Sequence, residues 1–450
     1  MATKRDLVEA HSFNRRRLVT AFLSGAPGGR EVEPVRYGRT LIGGAVVAAL
    51  VVAGAAVAGF IKPAVPQDWT ETNQMVMTKE GAKYLVMDGR VHPVLNATSA
   101  RLALSASGDP LQIVTISEDA LREVELDAPI GIPEAPDTLP RPEDLVATGW
   151  LACTNDDGGL RTSIHTEPRG TAVPGGGLVV ESAADEALWL VAGPTRHRLP
   201  KASDDVLRSL GLLQDSTPRV RAEWLNLIPE GSPLAALDLE GAGKTSSVAQ
   251  GELRTIGTPV EVTSSRRATY VLTDDGLLPV GEFAFRVHAA LSGQAPVQVA
   301  SDPSGFSNVS PRGIVPADWP GDTPVPLDEA VACVMLAQGA DDPSRGDTVL
   351  AVPQDDALPQ GDRVDRVVET GHGALVRVSP SGVASDDAGI VFVDQLARRF
   401  DLADTEDVRV PLVALGFGDV PAVGVRTAWA NLLGPGVELS RTKALTKVSG

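Results

Sequence analysis

Leu41 to Ile61 reads LIGGAVVAALVVAGAAVAGFI, with no charge and no strongly polar side chain. At about 1.5 Å of helix rise per residue the run covers about 30 Å, the thickness of a bilayer hydrocarbon core. Backbone groups inside lipid must satisfy one another, so the segment is expected as a helix. Its glycines weaken a helix in water but are tolerated there. Lys4, Arg5, Arg15, Arg16, Arg17, Arg30, Arg36 and Arg39 precede the run, and only Lys62 follows closely, before Pro63 and Pro66. The positive-inside rule then keeps the N-terminus in the cytoplasm and exports the rest. A cleaved signal peptide is the competing reading, but the apolar run and the basic region before it are both too long for one.

Charge divides the chain in the same place. Residues 1–40 carry eight basic and four acidic side chains, whereas the whole chain is at −18. The exported part is therefore strongly acidic, which argues against nucleic acid as a partner and suits a soluble body.

Cys153 and Cys333 both lie on the exported side, in the apolar contexts GWLACTN and AVACVMLA. An even pair in an oxidising compartment reads as one disulfide, and two buried thiols are the alternative. Neither cysteine belongs to a CxxC or Cys/His cluster, so no metal site is expected. No cofactor is expected either.

Almost 390 residues follow the membrane segment, enough for two or more domains. Short apolar runs punctuated by Gly, Pro and Asp, with a few helical stretches, indicate an α+β class. Four stretches share a layout: 82–102, 187–212, 268–291 and 388–417. Each opens on a short strand, turns at a polar step such as MDGR or TDDG, and returns as a second strand, a β-hairpin signature. A helical segment follows in most. The last three close on a Trp segment holding Trp224, Trp319 and Trp429. Each Trp is expected to pack its hairpin against its own helix rather than to stack on a ligand.

The spacing of these units is uneven, which argues against a uniform solenoid. The expected organisation is a basic segment (1–40), a membrane helix (41–61), a first repeat (62–119), a first core block (120–183), a second repeat (184–236), a linker (237–263), a third repeat (264–323), a second core block (324–382), a fourth repeat (383–436) and a tail (437–450). The two core blocks contain the cysteines and are expected to form one central domain.

DGRVHPVLNATSARL, GIPEAPDTLP, GWLACT, GPTRHRLP and WLNLIPEGSPL, with the basic opening RDLVEAHSFNRRRLVTAFLSG and the membrane exit GFIKP, occur in an order and spacing that resembles the EccB family. That family belongs to the type VII (ESX) secretion machinery of actinobacteria. The fourth stretch departs from the pattern, with Arg398-Arg399-Phe400 where the others carry a basic-Pro step. The resemblance implies an elongated periplasmic body, a disulfide-bearing β-rich core and flanking repeats similar to a phage lysin's cell-wall-binding module. It also implies self-association and assembly with EccC, EccD and EccE in the inner membrane.

Other motifs carry less. EGAGKTSS, residues 240–247, tempts a P-loop reading, but a Walker A motif needs Gly at 238, where Asp238 would repel a phosphate. A Gly/Lys/Ser linker is expected instead. His11, His92, His165, His197, His288 and His372 show no ligand spacing, and no GxSxG is present. Paired aspartates such as Asp274-Asp275 fit solvated turns better than calcium ligation. Asn96-Ala97-Thr98 is a chance glycosylation match.

The reading is a non-enzymatic structural subunit of a type VII secretion membrane complex. Its alternatives are a membrane-tethered cell-wall-binding repeat protein and a membrane-anchored ATPase. Gly43, Gly44, Ala48, Gly54 and Ala58 are expected to let partner helices approach closely in the membrane. Arg15, Arg16 and Arg17 are expected to meet a cytoplasmic partner or anionic lipid.

Overall fold

The computed structural model describes residues 3–24, 37–60, 69–70, 73–104, 112–155, 157–263, 267–300, 305–327, 331–385, 387–403 and 409–448. The chain divides into two compact units, 1–67 and 68–450.

The first unit holds two helices, α1 (Lys4–Ser24) and α2 (Tyr37–Phe60). The start of α1 is capped reciprocally. The Asp6 carboxylate accepts from the Thr3 amide and hydroxyl at 3.0 and 2.9 Å, while the Asp6 amide donates to the Thr3 carbonyl. On α2, Leu41, Ile42, Val46, Val47, Leu50, Val51 and Val52 are all exposed. At 100° per residue these positions lie all round the circumference, so the helix has no polar face. Among the described residues, no helix is long and apolar enough to cross a membrane. In α2, side chains are described continuously only from 40 to 55. That run is about 24 Å of rise, against a hydrocarbon core of about 30 Å. Ile61, the expected end of the span, lies outside the described residues.

The second unit is α+β and rich in strands. A six-stranded central sheet runs Val364–Val368, Leu160–Ile164, Trp150–Thr154, Ala332–Gln338, Gly346–Pro353, Gly170–Ala172. It takes three strands from each side of a long intervening segment.

Four smaller sheets share one connection pattern: strand, antiparallel strand, antiparallel strand, helix, then a last strand parallel to the first. In the first sheet these are Gln74–Thr78, Lys83–Met87, Arg90–Pro93, helix Ala97–Ala103 and Ile113–Ile116. The second uses Gly176–Ser182, Leu188–Ala192, Thr195–Arg198, helix Asp204–Leu210 and Arg219–Val220. In the third they are Pro259–Val262, Ala268–Leu272, Leu277–Pro279, helix Glu282–Leu291 and Val297–Val299. The fourth has Ala374–Ser379, Gly389–Val393, Arg398–Leu402, helix Arg409–Leu415 and Val423–Arg426.

Turn chemistry explains the hairpins. Asp88 and Gly89 both have positive φ, 50° and 73°, between the paired Met87 and Arg90. A two-residue type I′ turn demands that, and Asp-Gly supplies it. In the fourth sheet the turn is built on Asp394, only 4% exposed, which accepts from the Leu396 and Arg398 amides and pairs with the Arg398 guanidinium at 2.9 Å. The Arg-Arg-Phe departure therefore has a structural use: Arg398 neutralises a buried turn carboxylate.

Three features differ from the sequence reading. Each small sheet begins one strand earlier than the hairpin signature and ends one strand later. Gly176–Ser182 and Ala374–Ser379, expected in the core blocks, pair instead with the second and fourth hairpins. The expected linker 237–263 is structured, with a hairpin of Thr245–Gln250 and Leu253–Thr255, the strand Pro259–Val262, and Leu237, Leu239, Leu253 and Val260 buried. Gly176–Ser182 and Pro259–Val262 escape the sequence pattern because short runs buried on nearly every residue show no alternation, so nothing separates them from loop or helix.

Alternation within the second and fourth sheets orders the layers. Val180, Trp189 and Val191 of the second sheet and Val376, Val391 and Val425 of the fourth share one core with Trp150, Val334 and Leu336 of the central sheet. The opposite faces carry Val179 and Leu190, or Leu375, Ile390 and Phe392. The former pack toward the third sheet and the latter toward the first. The second and fourth sheets thus pack on the same face of the central sheet, with the third sheet beyond the second and the first beyond the fourth. Both faces of the second and fourth sheets are buried, which accounts for their unbroken apolar runs LWLVA and GIVFV.

Candidate functional site

The residues singled out by sequence fall into two places, the central core and the two helices of the first unit. In the core, Cys153 and Cys333 form a disulfide and are directly paired in register on neighbouring antiparallel strands, with Cα atoms 4.1 Å apart. Both are fully buried against Leu151, Met335, Ala351 and Ala357, on the face of the central sheet away from the shared core. The bond joins strands 180 positions apart in sequence.

The three tryptophans divide. Trp319 packs edge-on against Phe283 of its own helix, 5.9 Å between centroids, and donates to the Ser232 carbonyl. Trp224 and Trp429 do not pack against their own helices. They lie on the opposite face of their sheets, in the shared core. Trp224 Nε1 donates to the Ala152 carbonyl at 3.1 Å, and Trp429 Nε1 donates to Thr348 Oγ1 at 2.9 Å. Trp150 meets Trp429 edge-to-face at 6.4 Å. The Thr348 hydroxyl in turn donates to the Leu227 carbonyl. Thr348 thus ties the Trp segments of the second and fourth sheets to a central strand, a role that no local pattern around it signals.

The 240–247 segment is committed to hydrogen bonds within the fold. The Gly243 amide donates to the Ile256 carbonyl, the Lys244 amide to Gly241, and the Ser247 amide and hydroxyl to Asp274. A P-loop presents such amides to phosphate and opens a helix; here they are occupied, and Thr245–Gln250 is a strand.

Two histidines are locked at the joint between the second and third sheets. His197, fully buried, has Nδ1 2.8 Å from the Ser232 carbonyl and Nε2 3.0 Å from the Thr195 hydroxyl. A carbonyl only accepts, so Nδ1 carries the proton. His288, 2% exposed, has the reverse tautomer: its Nδ1 accepts from the Leu237 amide at 3.0 Å, and its Nε2 donates to the Gly257 carbonyl at 2.8 Å. Burial pushes both pKa values below the ordinary histidine value, against the opposing effect of these carbonyls. Among the described residues, no group of three or more His, Cys, Asp or Glu side chains is arranged to hold a metal ion.

In the first unit, a Cβ added at Gly43, Gly44 or Gly54 of α2 would meet nothing within 4 Å. Ala48 is exposed, and the side chain of Ala58 lies outside the described residues. Arg15, Arg16 and Arg17 are exposed on α1, where Leu7, Leu18 and Phe22 are exposed as well.

A family model described as "Type VII secretion system ESX-1, transport TM domain B" (EccB) matches residues 1–450. The chain belongs to the EccB family. The "ESX-1 secretion system ATPase EccB1" of Mycobacterium tuberculosis is 27% identical over 265 residues, covering 54% of this chain and 52% of its own length. The "ESX-2 secretion system ATPase EccB2" of the same organism is 25% identical over 419 residues, covering 81% of this chain and 79% of its own. Matches to the first of these curated EccB relatives span about half of their length. Among solved structures, a chain of "an intact ESX-5 inner membrane complex" matches with a TM-score of 0.63 at 21% identity, covering 100% of this chain and 96% of its own. A chain of the "EccB3 dimer from the ESX-3 core complex" matches with a TM-score of 0.63 at 20% identity, covering 83% and 100%. At these identities the likeness to EccB structures is one of fold.

Proposed function

We propose that this EccB-family chain is a structural subunit of a type VII secretion complex in the inner membrane. It crosses the membrane once through α2 and holds residues 68–450 in the periplasm. The observation that carries the reading is α2 itself. From Leu41 to Phe60 it carries no charged residue over about 30 Å of helix, and its described side chains, 40–55, present no polar face. Basic residues concentrate before it, and a disulfide, suited to an oxidising compartment, lies after it. EccC-, EccD- and EccE-like subunits are the expected partners, and the body is expected to self-associate, as the neighbouring EccB3 dimer does. The body is read as a central β-rich domain with two hairpin-and-helix repeats on each side. Copurification from membranes in mild detergent tests the assembly; recovery of the chain alone would favour the cell-wall-binding reading.

The word ATPase in the relatives' names points to a second reading. Residues 240–247 lend it no support, because the amides that would cradle phosphate are already bonded to Gly241, Ile256 and Asp274. Hydrolysis by Lys244→Ala protein equal to that of wild type is expected; a selective loss would restore the nucleotide reading.

A further inference from the structure

The seam where the second sheet, the fourth sheet and the central sheet meet gathers three arginines. Arg196 lies on Thr195–Arg198, and its guanidinium donates to the Leu225 carbonyl and to Asn226. Arg345 immediately precedes the central strand Gly346–Pro353 and is bridged through its backbone to Gly424. Arg426 ends Val423–Arg426, two positions from Gly424 and on the same face of that strand. Two carboxylates answer them: Glu230, 3.4 Å from Arg196, and Asp347, 3.1 Å from Arg345. Among the described residues, the Arg426 guanidinium has no hydrogen bond and no ion pair. Among the described residues, the seam therefore carries three cations against two anions.

Its donors are also under-used. The Nε atoms of Arg196, Arg345 and Arg426 are all buried without a hydrogen-bond acceptor; Arg345 Nε is near Asp347 but poorly aligned with it. The Trp189 indole N–H is likewise buried and unpartnered, in a residue only 6% exposed, and the Arg196 guanidinium stacks over that ring at 4.9 Å. A buried N–H without an acceptor costs about 1–3 kcal/mol, and four in one region is a feature to be explained. Burial, followed by repulsion from Arg196 and Arg345, pushes the Arg426 pKa down, and no carboxylate opposes them.

We propose that this seam is a binding site for a single carboxylate, presented by an acidic side chain of a protein partner and received by Arg426 with Arg196 and Arg345 beside it. One negative charge balances the seam. A guanidinium offers a planar pair of donors that matches a carboxylate bidentately.

The test uses the full chain in detergent micelles. Its melting temperature is followed against sodium acetate and against a Glu-containing peptide, with sodium chloride at equal ionic strength as reference. Wild type is expected to be stabilised by both carboxylates beyond chloride, with the peptide saturating at the lower concentration. Arg426→Gln is expected to melt no lower than wild type without ligand, because it relieves repulsion, and to bind carboxylate about tenfold more weakly or worse. Exposed Arg363→Gln is expected to keep the wild-type response. Acetate saturating as readily as the peptide would still support the carboxylate site but overturn its assignment to a protein partner. Equal response to acetate, peptide and chloride, or a full response in Arg426→Gln, would overturn the site. A lower melting temperature of unliganded Arg426→Gln would show instead that the arginine serves the fold.

Discussion

Cys153 and Cys333 stand opposite one another on adjacent antiparallel strands, so their disulfide closes a loop of 180 positions within a single sheet. In the chain-entropy account, a loop of that length stabilises the native state by about 5 kcal/mol, with any native strain subtracting from it. We expect no free thiol in the native, non-reduced protein. The Cys153→Ser variant should lose several degrees of melting temperature. Thiols that titrate in the folded, unreduced chain would contradict this.

Trp224 and Trp319 should respond differently to substitution. Trp224 is fully buried in the core shared by three sheets, and its N–H satisfies the Ala152 carbonyl. Trp224→Ala should cost about 3–5 kcal/mol. Trp319 bridges only the joint between the second and third sheets. Trp319→Ala should loosen that joint, and hydrogen exchange should rise there before the central strands are affected. Equal, global losses from both substitutions would show that the layers unfold as one.

His288 sets a pH dependence. Its folded pKa lies below the unfolded value near 6.5, because burial opposes the charge. The contribution is therefore complete above that pH. As pH falls below about 6.5, the unfolded chain takes up a proton that the native state refuses, and stability is lost until the lower folded pKa is passed. Protonation would also set an Nδ1–H against the Leu237 amide. Denaturant midpoints at pH 7.5 and 5.5 should differ less in His288→Gln than in wild type. An unchanged difference would exclude His288 as the cause.

The helix α2 leads to a prediction on assembly. Gly43, Gly44 and Gly54 leave open space that a partner helix could occupy, and association in lipid depends on such close packing. Gly54→Leu should weaken copurification of EccC- and EccD-like subunits while membrane insertion persists, since Leu suits lipid as well as Gly does. Arg15, Arg16 and Arg17 changed together to Ala should weaken recovery separately. If neither change matters, the exported body alone holds the complex.

Hairpins and helices were legible wherever the signal was local. Asp88-Gly89 announced its turn, because backbone preference acts within a few residues. The first strand of each small sheet was not legible. Val179 faces one core and Val180 another, so both are apolar and the period of two disappears. The direction of Trp224 and Trp429, away from their own helices, was equally hidden. A side chain's choice between two faces depends on which layer lies beyond each, and that layer comes from distant sequence.

By itself the sequence determined the apolar run at Leu41–Ile61, its basic flank, the even cysteine pair, the hairpin layout and the family resemblance. Composition, charge and turn chemistry are written residue by residue, so each of these can be read without knowing what touches what. Only the tertiary structure decided the order of the layers, the seating of Trp224 and Trp429 at Thr348, the opposed tautomers of His197 and His288, and the meeting of Arg196, Arg345 and Arg426. Each depends on groups that the fold brings together from separate elements, such as Trp429 with Thr348 or His288 with Gly257, where packing and hydrogen-bond partners are chosen by proximity in space and leave no trace in local spacing.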